Sequence, residues 1–113
     1  MNAPAHQPAP ALPVVVLVDA SERLIERCRI ALAANACVLG SDVEGIGAVA
    51  SAHRVRVLVV TAAVYGSATH QISDVARRLC ARLVKLPSED MPDRYLVEAI
   101  TTALGSSGVR RLR

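Results

Sequence analysis

The chain of 113 residues contains no Trp, no Phe and only two Tyr. A core for this chain must therefore be aliphatic, built from Val, Leu, Ile and Ala. The same shortage argues against a reader that stacks nucleic-acid bases on aromatic rings. Cysteine is also scarce: Cys28, Cys37 and Cys80 are odd in number and widely spaced, with no C-x-x-C pair. That excludes a disulfide framework and gives zinc no ligand set. The cysteines read as small hydrophobes in a reducing compartment. His6, His53 and His70 are scattered, so no shared metal site is expected. Long apolar runs are missing as well, and a bilayer span needs about 20 such residues. Residues 1–13 carry no charged n-region of a secretory signal. The cytoplasm is the expected compartment.

Apolar residues make up 52% of the chain, which rules out global disorder. The length fits one domain. Thirteen basic and ten acidic residues give a formal charge of +3, and Arg110, Arg111 and Arg113 account for all of the excess. The body is formally neutral. A neutral body argues against nucleic-acid binding through its folded part, which needs clustered Lys/Arg. Three regions follow: a Pro/Ala-rich arm at 1–13, expected to be disordered; one α/β domain at 14–104; and a flexible basic tail at 105–113.

Val14 to Val18 is a β-branched run that reads as a central parallel strand. Ser21 and Glu22 open an amphipathic helix whose inward stripe is Leu24, Ile25, Cys28, Ala31 and Leu32, with Asn35 as terminator. Ala36 to Gly40 is a shorter strand. A weak helix follows over 43–53, capped by Ser41 or Asp42 and diluted by Gly45 and Gly47. Val55 to Val60 is a second buried strand. Residues 64–71 read as a loop, 72–81 as a helix, and Arg82 to Leu86 as the last strand, closed by Pro87. The acidic loop Ser88-Glu89-Asp90 leads into a helix over 92–104, with Pro92 in its first turn. The alternation predicts an α/β fold: a parallel sheet of four strands, a fifth left open, with helices on both faces.

In such sheets ligands bind beyond the carboxyl ends of the strands. Those ends hold Asp19-Ala20-Ser21, Gly40-Ser41-Asp42, Thr61-Ala62-Ala63 and Lys85-Leu86-Pro87. Lys85 is the one lysine in a chain that uses arginine twelve times. Its compact ammonium is not interchangeable with a guanidinium. Val-Leu-Val-Asp-Ala-Ser at 16–21, Val-Val-Thr-Ala at 59–62 and Val-Lys-Leu-Pro at 84–87 together resemble the response-regulator receiver domain. The resemblance spans residues 14–104. It implies a receiver- or flavodoxin-like fold in which Asp19, Thr61 and Lys85 are what remains of the phosphorylation site.

The departures from that family carry as much weight. Receivers hold Mg²⁺ with two acidic residues after the first strand, and here Ala20 follows Asp19. The position matching the phospho-accepting Asp is Thr61, or its strand is missing. One carboxylate is a poor Mg²⁺ site, and phosphoryl transfer to Asp would lack both nucleophile and charge stabilisation. The resemblance thus implies a shortened pseudo-receiver with no cofactor, no metal and no enzymatic activity, and with Asp19 and Lys85 as a remnant ion pair. No phosphate-loop or dinucleotide fingerprint occurs. A protein partner is expected on the face of the last two helices and last strand, with Arg77, Arg78, Arg94 and Tyr95 as contacts. A homodimer follows if the last helix exposes an apolar patch. Two other readings stand beside this one: switching by modification of Thr61 or Asp19, and a small-molecule (nucleotide) site using Gly66, Ser67 and Thr69 of the 64–71 loop.

Overall fold

The computed structural model describes residues 12–106. The expected arm and tail lie largely outside these residues. Four strands, β1 (Val14–Val18), β2 (Cys37–Ser41), β3 (Val55–Thr61) and β4 (Arg82–Leu86), form one sheet. All neighbours run parallel, in the order β2-β1-β3-β4. That is the beginning of the flavodoxin-like order, and the sheet of the described residues has no fifth strand. Between and after the strands lie α1 (Glu22–Ala31), α2 (Ile46–Ala52), α3 (Ala62–Ser67), α4 (Thr69–Leu79) and α5 (Asp93–Ser106).

The chain steps outward from β1 to β2, then returns past β1 to β3 and β4. Crossovers keep one hand, so this reversal places their helices on opposite faces. α1 and α5 cover one face: Leu24, Cys28 and Leu32 pack with Val15, Leu17, Val57, Val59, Leu86, Leu96 and Ile100. α2, α3 and α4 cover the other, with Ile46, Ile72 and Ala76 against Val14, Val16, Val18, Leu58 and Val60. Every residue of β1 is buried, as a central parallel strand requires. The pairing of β1 with β3 slips between Val14 and Val15: Val14 faces Val55 but Val15 faces Val57. Arg56 is the extra residue of this bulge.

Ser21 caps α1 as expected, its Oγ accepting the Leu24 N–H at 3.1 Å. Elsewhere the boundaries differ. The 64–71 segment is not a loop. Thr61 caps α3 through its Oγ1, and Val64 and Tyr65 pack on the sheet. α4 begins at Thr69 and ends before Cys80, which takes the left-handed conformation (φ 55°) of a helix C-terminus. α2 starts only at Ile46. Asp42 Oδ1 accepts the Gly45 N–H at 2.6 Å and holds the chain in a turn first, since Ser, Asp and Asn favour such local bonds over helix. β2 lies one residue later than expected, and α5 runs through Gly105.

Ile46 is the one fully buried side chain of α2. Ile46→Ala is expected to cost about 2–5 kcal/mol in urea unfolding. Ile30→Ala, at a site 70% exposed, is expected to change stability by less than about 0.5 kcal/mol.

Candidate functional site

The carboxyl ends of the strands gather Asp19, Ser41, Asp42, Thr61 and Leu86 at one end of the sheet. Asp19 is exposed and has positive φ (51°), a conformation that Asp tolerates better than most side chains. Its N–H donates to the Ser41 carbonyl at 2.7 Å, which ties the turn after β1 to β2. Asp19 lines a shallow cavity of about 380 Å³ over this β1–β2 corner, with Arg29, Ser41 and Asp42. Asp42 already holds the Gly45 N–H.

Lys85 turns the other way. It stands opposite Val60, and its ammonium lies 4.5 Å from the centre of the Tyr65 ring on α3. Tyr65 is steadied by a 2.9 Å bond between its hydroxyl and Ser73 Oγ on α4. The expected Asp19–Lys85 ion pair does not form. β3 separates the two strands, so they are about 10 Å apart. Asp19 is bound toward β2, while Lys85 is drawn over an aromatic face. That stacking gives the ammonium of Lys85 a partner within the fold.

Thr61 ends β3 and is 9% exposed. Its Oγ1 accepts the Val64 N–H at 3.3 Å, so the hydroxyl serves as the helix cap. The Ser67 and Thr69 hydroxyls donate back to the carbonyls of Val64 and Tyr65. The Ser67 and Thr69 hydroxyls thus fasten the junction between α3 and α4.

A more developed arrangement was not visible in the sequence. Glu89, in the loop after β4, places its carboxylate at the start of α1. Its Oε2 accepts the Ser21 N–H at 3.0 Å, and Oε1 accepts the Ser21 hydroxyl at 2.6 Å. Anions are favoured at helix N-termini, where unpaired N–H groups and the dipole point outward. Glu89 is such an anion, supplied by the chain itself. Arg27 on α1 completes a clamp. Its guanidinium donates to the carbonyls of Glu89 (3.0 Å) and Met91, and to Asp93 Oδ1 (2.8 and 2.9 Å). These four bonds to three acceptors exceed the three donors of an ammonium and use the fixed fork of a guanidinium. One signal was available: Glu89 and Asp90 form an acidic loop beyond the last strand, and α1 opens at the first. Their pairing, 68 residues apart, has no local signature.

Arg77, Arg78, Arg94 and Tyr95 are all exposed, as expected. They do not form one surface. Arg77 and Arg78 sit in the last turns of α4, where Asp74 pairs with both. Arg94 and Tyr95 open α5, on the other face and at the other end of the sheet. Among the described residues, no cluster of three or more His, Cys, Asp or Glu side chains could hold a metal ion, and no helix is long and apolar enough to cross a membrane. No family model, no curated protein and no solved structure matches this chain.

Arg27→Ala would leave the Glu89 and Met91 carbonyls without their donor. The expected loss is about 1–3 kcal/mol, with faster amide exchange over 88–93 and no rescue by Arg27→Lys. Beneath the clamp, burial pushes the Cys28 thiol from 9.0 up to about 11; Arg27 opposes the rise and Asp93 adds to it. The folded chain thus holds this proton more tightly than the unfolded one. The contribution to stability is complete below pH 9.0 and is lost as pH rises toward 11. A thiol reagent at pH 8 should label exposed Cys80 in the native protein and reach Cys28 only on unfolding.

Proposed function

We propose that this chain is a non-catalytic pseudo-receiver: a signalling module that acts by binding a protein partner. The observation that carries the reading is the state of the β3 terminus. Where a receiver presents a carboxylate for phosphorylation, this chain has Thr61, with its hydroxyl nearly buried and committed to the α3 cap. Asp19 follows β1 with Ala20, not a second acid, next in sequence, and its N–H is bound to β2. Lys85, which in a receiver would answer the acceptor carboxylate, is stacked on Tyr65 instead. The site residues that the family would use for phosphoryl transfer serve here as a cap, a turn and a ring contact.

A partner would use the outer edge of β4. This strand ends the sheet, lies between α4 and α5, and keeps Leu83 and Val84 only half-buried. Edge strands present unpaired backbone groups that favour association. Exposed Arg82 and Lys85 restrict this edge to partners that bring acceptors.

Incubation of the purified chain with acetyl phosphate and Mg²⁺, followed by intact-mass measurement, tests the reading. The expected result is no covalent phosphate. Stable incorporation of one phosphate at Asp19, or at any other aspartate, would overturn it.

A further inference from the structure

Helices α2 and α4 cover the same face of the sheet and run the same way, from its carboxyl end to its amino end. They leave a groove between them. α2 buries only Ile46. Gly47 is exposed, and a Cβ added there would meet no heavy atom within 4 Å. One part of the groove is a cavity of about 360 Å³ whose walls include Val43 and Gly47 on one side and Val75 and Leu79 of α4 on the other. Val43, Val75 and Leu79 are half-buried and rest on the core beneath. The second part, of about 500 Å³, lies at the amino end of the sheet and is lined by His53, Arg54 and Arg78. Arg78 and Leu79 wall both parts.

The two parts differ in charge. Glu44 and Asp74 stand beside the apolar part. Around the other, residues 50–56 and 76–82 contain no Asp or Glu. Arg54 is exposed and makes no hydrogen bond or ion pair with the described residues. Asp74 is shared between Arg77 (3.2 Å) and Arg78 (3.3 Å). One carboxylate thus answers two guanidiniums, and Arg78 keeps donors to spare.

We propose that this groove binds a small amphipathic anion: a medium-chain carboxylate, with its chain along Val43, Gly47, Val75 and Leu79 and its head at Arg54 and Arg78. Ligand sites are clefts of about 300–1,000 Å³ with apolar walls and a few polar groups that fix orientation. Guanidinium forks match a carboxylate with two donors each. The reverse pose would set the head against Glu44 and Asp74. The carboxyl-terminal dipoles of α2 and α4 oppose an anion at the basic end, so the head depends on the arginine side chains. From Gln71 to Arg78, within α4, the helix rises about 10 Å, which sets the length of chain that fits. A protein surface is a poorer occupant. The apolar side chains are recessed between the helices, and the exposed large hydrophobics Leu12, Ile30 and Tyr95 line neither cavity.

Titration of the isotope-labelled full chain with decanoate, followed by heteronuclear NMR, tests the proposal. The expected result is saturable binding with Kd of about 100 μM and amide shifts centred on Gly47, Arg54, Val75 and Leu79. Decanol and decyltrimethylammonium should bind about tenfold more weakly. Gly47→Leu should fill the apolar part and weaken decanoate binding by about tenfold or more. Replacing an exposed helical glycine raises helix propensity, so this variant should melt no lower than the parent. Arg54→Ala/Arg78→Ala should weaken decanoate binding about tenfold and leave the affinity for decanol unchanged. The proposal is overturned by absence of saturable binding, by shifts that map elsewhere, by equal affinity for decanol, or by decanoate binding that Gly47→Leu leaves intact. Shifts of the same resonances on raising the protein concentration alone would make the groove an interface between copies, and would also overturn it.

Discussion

All four strands of this sheet point the same way, and most of the other features follow from that constraint. A parallel sheet needs a crossover between each pair of strands, so each connecting helix runs antiparallel to the strands it joins. The helix N-termini collect at one end of the molecule, with their unpaired N–H groups, and the C-termini at the other. The chain answers each end with chemistry of the right sign. Glu22 and Asp93 stand in first helical turns, and Arg29, Arg77 and Arg78 stand in last turns. The charge separation is therefore partly a consequence of strand direction.

At the carboxyl end of the sheet, the polar groups are largely spent on the fold itself. Thr61 caps α3, Asp42 turns the chain into α2, and Glu89 fills the anion seat of α1. Arg27 fastens the loop that carries Glu89. Ordinarily this end of an α/β sheet holds a ligand or a reacting group. Here Thr61, Asp42 and Glu89 direct their hydrogen-bonding capacity inward.

The sheet was legible in the sequence because β1 and residues 57–60 of β3 are buried on both faces and so read as unbroken runs of Val and Leu. Helices α1 and α5 were legible from the spacing of Leu24 and Cys28, and of Leu96 and Ile100. α3 was not. Ala62-Ala-Val-Tyr-Gly-Ser67 contains a glycine and a serine, which weaken a helix. It forms because Thr61 caps it and because Val64 and Tyr65 find the sheet, and both are tertiary events. Of the site residues, Asp19, Thr61 and Lys85 do lie toward the carboxyl ends of their strands, but their partners were hidden. Lys85 was expected to face Asp19, and the ring it covers lies on the helix the sequence concealed. Net charge likewise says nothing of how charge is arranged, so a neutral body gave no warning of two opposed poles.

The bond between Ser21 and Glu89 joins the first helix to the last loop across 68 residues. It has a consequence in time as well as in space. During synthesis, the start of α1 leaves the ribosome long before its counter-ion exists. The helix must wait with its cap half-made until β4 has been laid down beside β3 and the loop behind it has turned back over β1. Contacts of such long separation are costly to close and slow the folding of the chains that depend on them. In the finished domain the same bond ties the opening of the first helix to the loop that precedes the last.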